Sequence, residues 1–346
     1  MPACPGGQAR AAQCRQRSRR NTVRGVETYF LVTVVSFVFN TMTHFRSLDD
    51  ITLQNAWLTI GVFDGVHRGH QEIIRQLTTG AHADGALAVV LTFSPHPAVI
   101  LGGKADFKSL TTAEERAALL ESLGVDIVIT HLFDRALADQ TAEEFMRHVV
   151  RSLGLRRLLV GYDFALGRGR EGDMTRLTEL GKTLGYEVQP VAPLAAGDEV
   201  ISSSRIRTQL AAGEVAAAAL DLGRYYSVTA PIIHGDGRGK KINIPTANLE
   251  IPAEKVIPAN GVYACWAWVS GKQYTSVTNV GIRPTFTPEE YAPHVETHLL
   301  DFDHDLYGQE VKLEFVEWLR EERKFPSVEA LVGQIHNDIE RARKIL

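Results

Sequence analysis

Between about residue 57 and residue 193 the chain alternates short apolar runs with longer stretches of helical periodicity. Predominantly apolar runs fall at 58–61, 87–93, 125–130 and 158–160, with a weaker one at 186–191. Runs of this length without polar alternation are buried on both faces, which predicts strands of a parallel sheet. The intervening stretches carry helix starts. Thr112-Ala113-Glu114-Glu115 and Thr141-Ala142-Glu143-Glu144 read as capping boxes, and Phe145, Val149 and Leu153 then share one helical face. Strand–helix alternation of this kind predicts a doubly covered α/β domain. An alanine-rich helical connector follows over 203–222. Beyond it the pattern changes to short β-rich runs at 226–233, 262–269, 274–280, 294–299 and 311–315. Val311-Lys312-Leu313-Glu314-Phe315 alternates with period two, and Ser270-Gly271-Lys272 reads as a hairpin turn. A closing helix begins near Ser327 with Leu331, Ile335 and Ile339 on its inner face. The second half therefore predicts a small closed antiparallel β-barrel with a terminal helix. The expected division is an α/β domain over 42–202, a helical linker over 203–223 and a barrel domain over 224–346.

Residues 1–41 do not share this pattern. Six arginines, from Arg10 to Arg24, precede an apolar run over 29–39. That order resembles a signal peptide, but no small-residue cleavage site follows. The run is also far below the ~20 residues that cross a bilayer. The expectation is a disordered or misassigned extension, with Met42 opening the first domain.

Composition narrows the function little. A formal net charge of −4 gives no global reason for nucleic-acid binding. The cysteines Cys4, Cys14 and Cys265 form neither a disulfide framework nor a zinc spacing. A reducing cytoplasm is the expected compartment. Phosphate recognition, if present, is local.

The chemistry concentrates first at residues 61–70, G-V-F-D-G-V-H-R-G-H, between a predicted strand and a predicted helix. Glycines let backbone approach a ligand, and the new helix presents free N–H groups. His67 and His70 suit phosphate contact better than a metal, because no third histidine or cysteine lies nearby. They also suit nucleotidyl transfer, in which an already ionised phosphate attacks and positioning does most of the work. Asp64 orders the turn or acts on a metal indirectly. A second candidate is the glycine-rich basic loop over 234–241, with Gly235, Gly237 and Gly239 beside Arg238, Lys240 and Lys241. It lacks the G-K-[ST] ending of a P-loop, and alone it is equally a solvated turn.

Four ordered blocks then carry a family resemblance: 61–70; Thr92-Phe93-Ser94-Pro95-His96-Pro97; 160–173, V-G-Y-D-F-A-L-G-R-G-R-E-G-D; and 201–207, I-S-S-S-R-I-R. Together they resemble the FAD synthetase half of the bacterial bifunctional riboflavin kinase/FAD synthetase family. That resemblance implies an α/β nucleotidyltransferase fold with a Rossmann-like parallel sheet. It places His67 and His70 on the ATP phosphates, with Gly61, Phe63 and Asp64 in the same nucleotide turn. Asp163 is implied near nucleotide and metal. Ser203, Ser204 and Arg207 grip phosphate, a role that hydroxyls and an arginine at a helix start also fit by themselves. Pro95, His96 and Pro97 line the flavin pocket.

The second half resembles the riboflavin kinase domain of the same family, through Pro245-Thr246-Ala247-Asn248, residues 281–286, Glu296-Thr297-His298 and Tyr307-Gly308. The resemblance implies Thr246 and Asn248 as Mg²⁺ ligands, Gly237 and Gly239 at the nucleotide, Arg283 at the flavin and Glu296 as general base. A base suits this half, since its nucleophile is a neutral alcohol. Two departures stand out. Asn243 replaces a glycine before the Pro-Thr-Ala-Asn block, and asparagine tolerates the left-handed backbone region. Ala230-Pro231 replaces a glycine after the first barrel strand.

The implied protein converts riboflavin and ATP to FMN and ADP, then FMN and ATP to FAD and pyrophosphate. ATP, riboflavin and FMN are its partners, with neither nucleic acid nor membrane expected and the oligomeric state open. Two alternatives stay beside it. A single-activity enzyme would have lost one set of site residues, and both sets are intact. A flavin-binding regulator would carry a DNA-reading helix pair or basic face, and neither is evident.

Overall fold

A computed structural model describes residues 43–103, 106–196, 199–235, 239–282 and 293–346. The expectations for residues 1–41, Gly237 and Arg283 lie outside the described residues.

The first half folds as a six-stranded, wholly parallel sheet of β1 (Thr43–Phe45), β2 (Ala56–Ile60), β3 (Leu87–Ser94), β4 (Ile127–Leu132), β5 (Leu155–Gly161) and β6 (Glu187–Val191). The spatial order is β1-β4-β3-β2-β5-β6. Helices α1 (Arg68–Ala83), α2 (Pro97–Gly102), α3 (Ala113–Ser122), α4 (Arg135–Ala138), α5 (Ala142–Leu153) and α6 (Met174–Leu184) connect the strands. Period-two burial explains the two-sided covering. Ala56, Leu58, Ile60, Val89 and Leu91 face one core with α5 and α6; Trp57, Ala88 and Val90 face another with α1 and α3. Both expected capping boxes form, at Thr112/Glu115 and Thr141/Glu144. The three-residue β1 escapes a periodicity argument because it is too short to show one.

The order places successive connections on opposite sides of β2. From β2 the chain goes to β3 and β4 on one side, then crosses to β5 on the other. The strand ends between β2 and β5 are a topological switch point, where open α/β sheets bind ligands.

A short hairpin of β7 (Ala195–Ala196) and β8 (Glu199–Val200) leads into two helices, α7 (Ser203–Ala211) and α8 (Val215–Leu222). The expected single connector is thus broken. Gly213 sits at φ +78° between them, a conformation that ends a right-handed helix.

The second half is a closed antiparallel barrel of β9 (Tyr226–Ile233), β10 (Ala247–Leu249), β11 (Gly261–Val269), β12 (Lys272–Ile282), β13 (Pro293–Leu299) and β14 (Glu310–Arg320). Ser270 and Gly271, at φ +48° and +79°, make the tight turn between β11 and β12. Tyr226, Val228, Ala230 and Ile232 alternate into the interior beside Val311, Leu313 and Phe315. Helix α9 (Val328–Ile345) closes the chain, capped by Ser327. Its inner face matches expectation only in part. Ile339 packs against the core cluster of Val262, Ala264 and Ala342, whereas Leu331 and Ile335 are only half-buried and the buried residues of the helix are Asp338 and Ala342. Arg320 on β14 grips the Asp338 carboxylate at 2.8–3.1 Å, so an ion pair occupies part of the seam.

The two halves are clamped together. Lys255, before β11, is 3% exposed; it ion-pairs with Glu115 and donates to the Leu110 carbonyl at 2.8 Å. Arg224, entering the barrel, donates to the carbonyls of Gly65 and Val66 at 2.6 and 3.1 Å. The second clamp grips the glycine–histidine turn itself.

Candidate active sites

The turn between β2 and α1 is held from three directions. Phe63, Gly65 and Val66 lie at φ +51°, +80° and +40°, so the backbone is forced into a tight left-handed path. The Asp64 carboxylate is 2% exposed and accepts from the Leu110 and Thr111 N–H groups at 3.0 and 3.1 Å, with Arg207 paired to it. Ser203 Oγ donates to the Asp64 carbonyl at 2.9 Å. Asp64 is therefore the knot of the turn, the role that its position in the sequence left open beside a metal role.

His67 caps α1. Its Nδ1 accepts from the His70 N–H, at a long 3.4 Å. The two imidazoles stack with centroids 3.6 Å apart, and Phe63 meets His70 edge-on at 5.2 Å. Burial pushes His67 down to about 4, and His70 lies well below the usual histidine range through burial and then its neighbour's charge. Both rings are neutral at pH 7. With Nδ1 of His67 accepting, its proton sits on Nε2, a donor without net charge. Nδ1 of His70 is buried and has no partner among the described residues.

Gly69 explains the glycine of the motif. A Cβ there would lie 3.2 Å from the His67 ring, so a side chain requires the imidazole to shift by a few tenths of an ångström. Gly69→Ala is expected to lower FAD formation by roughly tenfold, through misplacement of His67, while helix stability holds or rises. Comparing FAD formation with the thermal midpoint checks this; a loss of both together would count against it.

Acid should weaken the domain for the same reason. Unfolded histidines bind a proton near pH 6.5, whereas folded His67 resists until about 4. Stability is full above pH 6.5 and falls as pH drops towards 4, by up to about 1.4 kcal/mol per pH unit for this group. Urea midpoints between pH 6.5 and 5 should show the slope, and His67→Gln should flatten it.

The remaining transferase candidates spread along the same carboxyl edge of the sheet. Gly61 ends β2 against the Phe63 ring. Asp163 lies two residues beyond β5, exposed, its carboxylate free of hydrogen bonds among the described residues. Of the three serines at the start of α7, Ser202 caps the helix, Ser203 ties to Asp64 and Ser204 is exposed. Arg207, besides pairing with Asp64, donates to the Lys108 carbonyl at 3.0 Å and lies over the Phe107 ring at 4.5 Å.

Beside this turn opens a cavity of about 380 Å³. Its walls include Phe93, Pro95, His96, Phe107, Thr111 and Arg116, with Glu254 reaching it from the barrel half. His96 caps α2 through Nδ1, burial holds it near 4, and its ring lies 4.1 Å from Phe107. Pro97 opens α2 just behind it. Phe107 and Arg116 carry no motif that sequence reasoning could have used. Phe107 precedes a capping box, and Arg116 reads as a helix-surface residue until its burial is known.

The second candidate site lies on the barrel. In the ladder, Asn248 of β10 faces Glu296 of β13, which faces Asn279 of β12. Directly opposed residues share a face of the sheet, so three polar side chains form a row across adjacent strands. His294, two residues before Glu296, brings its Nε2 against the Glu296 carboxylate. His298 Nδ1 lies 2.6 Å from the Pro245 carbonyl and fixes the segment carrying Thr246. Thr246 borders a cavity of about 370 Å³ at the barrel mouth, walled also by Phe302, His304 and Tyr307.

The Mg²⁺ expectation meets a concrete feature here. Asn248 Oδ1 is buried without a hydrogen-bond partner among the described residues. An orphaned amide oxygen two residues from a threonine hydroxyl is a hard donor pair that suits Mg²⁺ completed by substrate phosphates. Gly235 packs so closely that a Cβ there would lie 2.1 Å from the Asn248 amide. Gly239 approaches the Ile244 carbonyl within 2.2 Å of where its Cβ would be. Asn243 adopts φ +57°, so the asparagine keeps the left-handed turn that a glycine would make.

The sequence pattern of the FAD synthetase family matches residues 49–205, and that of riboflavin kinase matches residues 222–346. The bifunctional riboflavin kinase/FMN adenylyltransferase of Listeria monocytogenes is 34% identical over 87% of this chain and 95% of its own. The chain belongs to the bifunctional riboflavin kinase/FMN adenylyltransferase family. Relatives of the same description in Bacillus subtilis and Escherichia coli are 36% and 35% identical, over 82% and 86% of this chain and 90% and 95% of theirs. A solved structure described as a macrolide-efflux protein from Streptococcus pneumoniae shares the fold, with TM-score 0.80 and 29% identity over 88% of this chain and 99% of that one. Among the described residues no helix is long and apolar enough to cross a membrane. In this family's terms the parallel sheet is the adenylyltransferase domain and the barrel is the kinase domain.

Proposed function

We infer that the barrel domain transfers the γ-phosphoryl group of ATP to riboflavin, giving FMN and ADP, and that the sheet domain transfers AMP from ATP to FMN, giving FAD and pyrophosphate. The observation that carries this reading is the pairing of each site's side chains with its nucleophile. In the sheet domain the nucleophile is a phosphate, largely ionised at pH 7. It needs donors and position rather than a base, and the stacked neutral His67 and His70 supply donors. An oxygen of the FMN phosphate attacks the α-phosphorus, and the bond to pyrophosphate breaks. In the barrel the nucleophile is a neutral alcohol. Glu296, in the row with Asn248 and Asn279, takes its proton.

Mg²⁺ would be held by Thr246 Oγ1 and Asn248 Oδ1 and would offset phosphate charge in the kinase reaction. Arg207 and Ser204 are read as ATP-phosphate contacts of the transferase, with Arg207 exchanging its Asp64 partner for phosphate. Asp163 is read as a further nucleotide or metal contact. The cavity at Pro95 and His96 is read as the flavin site of the transferase, Gly237 and Gly239 as part of the kinase nucleotide loop, and Arg283 as a flavin contact of the kinase.

The test is direct. Full-length protein incubated with riboflavin, ATP and Mg²⁺ should yield FMN and then FAD by chromatography. FMN alone would mean an inactive sheet domain, and no new flavin would overturn the reading.

A further inference from the structure

Arg116, early in α3, is a buried cation that forms no ion pair among the described residues, although Asp64 and Glu114 lie near enough to act on it electrostatically. It is 4% exposed and lines the cavity with Phe93, Pro95 and His96. One guanidinium nitrogen, Nη2, donates to the Phe93 carbonyl at 3.0 Å. Nε is buried with no hydrogen-bond partner, and among the described residues no carboxylate forms an ion pair with the group. The nearby acids are committed elsewhere: Asp64 to Arg207 and two backbone N–H groups, Glu114 to Arg46, and Glu115 to Lys255. Glu254, the other acid at the cavity, is exposed. A guanidinium out of water with one carbonyl for company is costly, and an anionic ligand relieves that cost.

The position selects the anion. Arg116 adds a smaller contribution to the depression of both His70 and His96, behind burial and His67 at His70 and behind burial, the opposing Asp64 and Arg207 at His96, so it lies within reach of the phosphate-side and cavity-side histidines alike. The attacking phosphate must lie between the flavin ring system and the ATP phosphates. We propose that Arg116 receives the phosphate of FMN in the adenylyltransferase site and makes that site select a phosphorylated flavin over a neutral one. This rests on reading the Pro95–His96 cavity as the flavin site. Arginine suits the role because its planar fork matches phosphate oxygens and its charge does not titrate.

The experiment uses the full chain, FMN as substrate and 5′-deoxyriboflavin as competitor. That analogue keeps the flavin ring but lacks the hydroxyl that the kinase phosphorylates. In the wild-type protein the KM for FMN should lie at least about tenfold below the Ki of the analogue. Arg116→Gln should raise the KM for FMN on the order of 10- to 100-fold. It should leave the analogue's Ki, the KM for ATP and riboflavin phosphorylation near their wild-type values. Arg116→Lys should recover part of the loss.

Equal binding of FMN and the analogue by the wild-type protein would overturn the proposal, even if no variant folds. So would an equal loss of both in Arg116→Gln, which would mean a ring-shaping role, or a rise confined to ATP. A wild-type protein that makes no FAD from supplied FMN would instead overturn the functional reading on which the proposal rests.

Discussion

Replacing Glu296 by glutamine is expected to slow riboflavin phosphorylation by about 10²- to 10⁴-fold, the range over which a positioned general base acts. FAD formation from supplied FMN should continue at the wild-type rate. The substitution keeps the size of the side chain and its place opposite Asn248 and Asn279 in the ladder. What it removes is the carboxylate proposed to take the alcohol proton, and with it the close contact to His294. The two effects separate kinetically. Loss of a base lowers kcat with little change in the KM for riboflavin, whereas a disordered strand would raise KM and lower the thermal midpoint. A variant that keeps most of its kinase rate would remove Glu296 from the mechanism, and His294 would then be the first residue to test. Loss of FAD formation as well, in a folded protein, would contradict separate sites.

Much of the fold was legible because burial imposes periodicity. Strands largely buried on both faces gave mainly apolar runs within β2, β3, β4 and β5, and the capping boxes marked α3 and α5 to the residue. In the barrel, β14 was visible through alternation and β9 as a β-rich run. Elements set by other forces were not. β10 is three residues inside a functional motif, and its place follows from pairing with β9 and β13 rather than from its own pattern. The break at Gly213 was hidden by the high helix propensity on either side. The seam under α9 was misread because a charged pair, Arg320–Asp338, fills a place where apolar residues were expected.

The site was legible in a different way. Motif glycines and histidines declare themselves because few other side chains tolerate such backbone or such chemistry. Asn243 is the clearest case, since its φ of +57° is what made asparagine acceptable there. Residues that act through burial left no trace. Arg116 and Lys255 look like surface charges in the sequence; Arg116 is buried beside the Phe93 carbonyl and Lys255 by its docking on Leu110 and Glu115. Asp64 and Arg207 were visible as motif members, but their mutual pairing across 143 residues of chain was not.

Replacing His70 by alanine is expected to reduce FAD formation by about 10²- to 10³-fold, the cost of removing one preorganised donor from a charge-developing transition state. FMN formation should be unaffected. The substitution deletes a ring stacked at 3.6 Å on His67 and takes away the edge contact with Phe63. The His70 backbone N–H that holds His67 Nδ1 is retained, so the capping bond and the start of α1 should persist. In the proposed site His67 alone would then face the phosphates. The remaining rate reports how much the second imidazole contributes beyond the helix N-terminus and the flavin cavity. Because neither ring is charged at pH 7, the loss should be almost independent of pH between 7 and 8.5. A cationic His70 would instead make the wild-type rate fall as the pH rises through that window. Such a fall, present in the wild-type protein and absent from His70→Ala, would show that the histidines act as charges and would overturn the neutral-donor assignment. If the variant forms FAD within a few-fold of wild type at saturating FMN and ATP, the pair is structural, and the nucleotide phosphates are held by α7 and Arg207 alone.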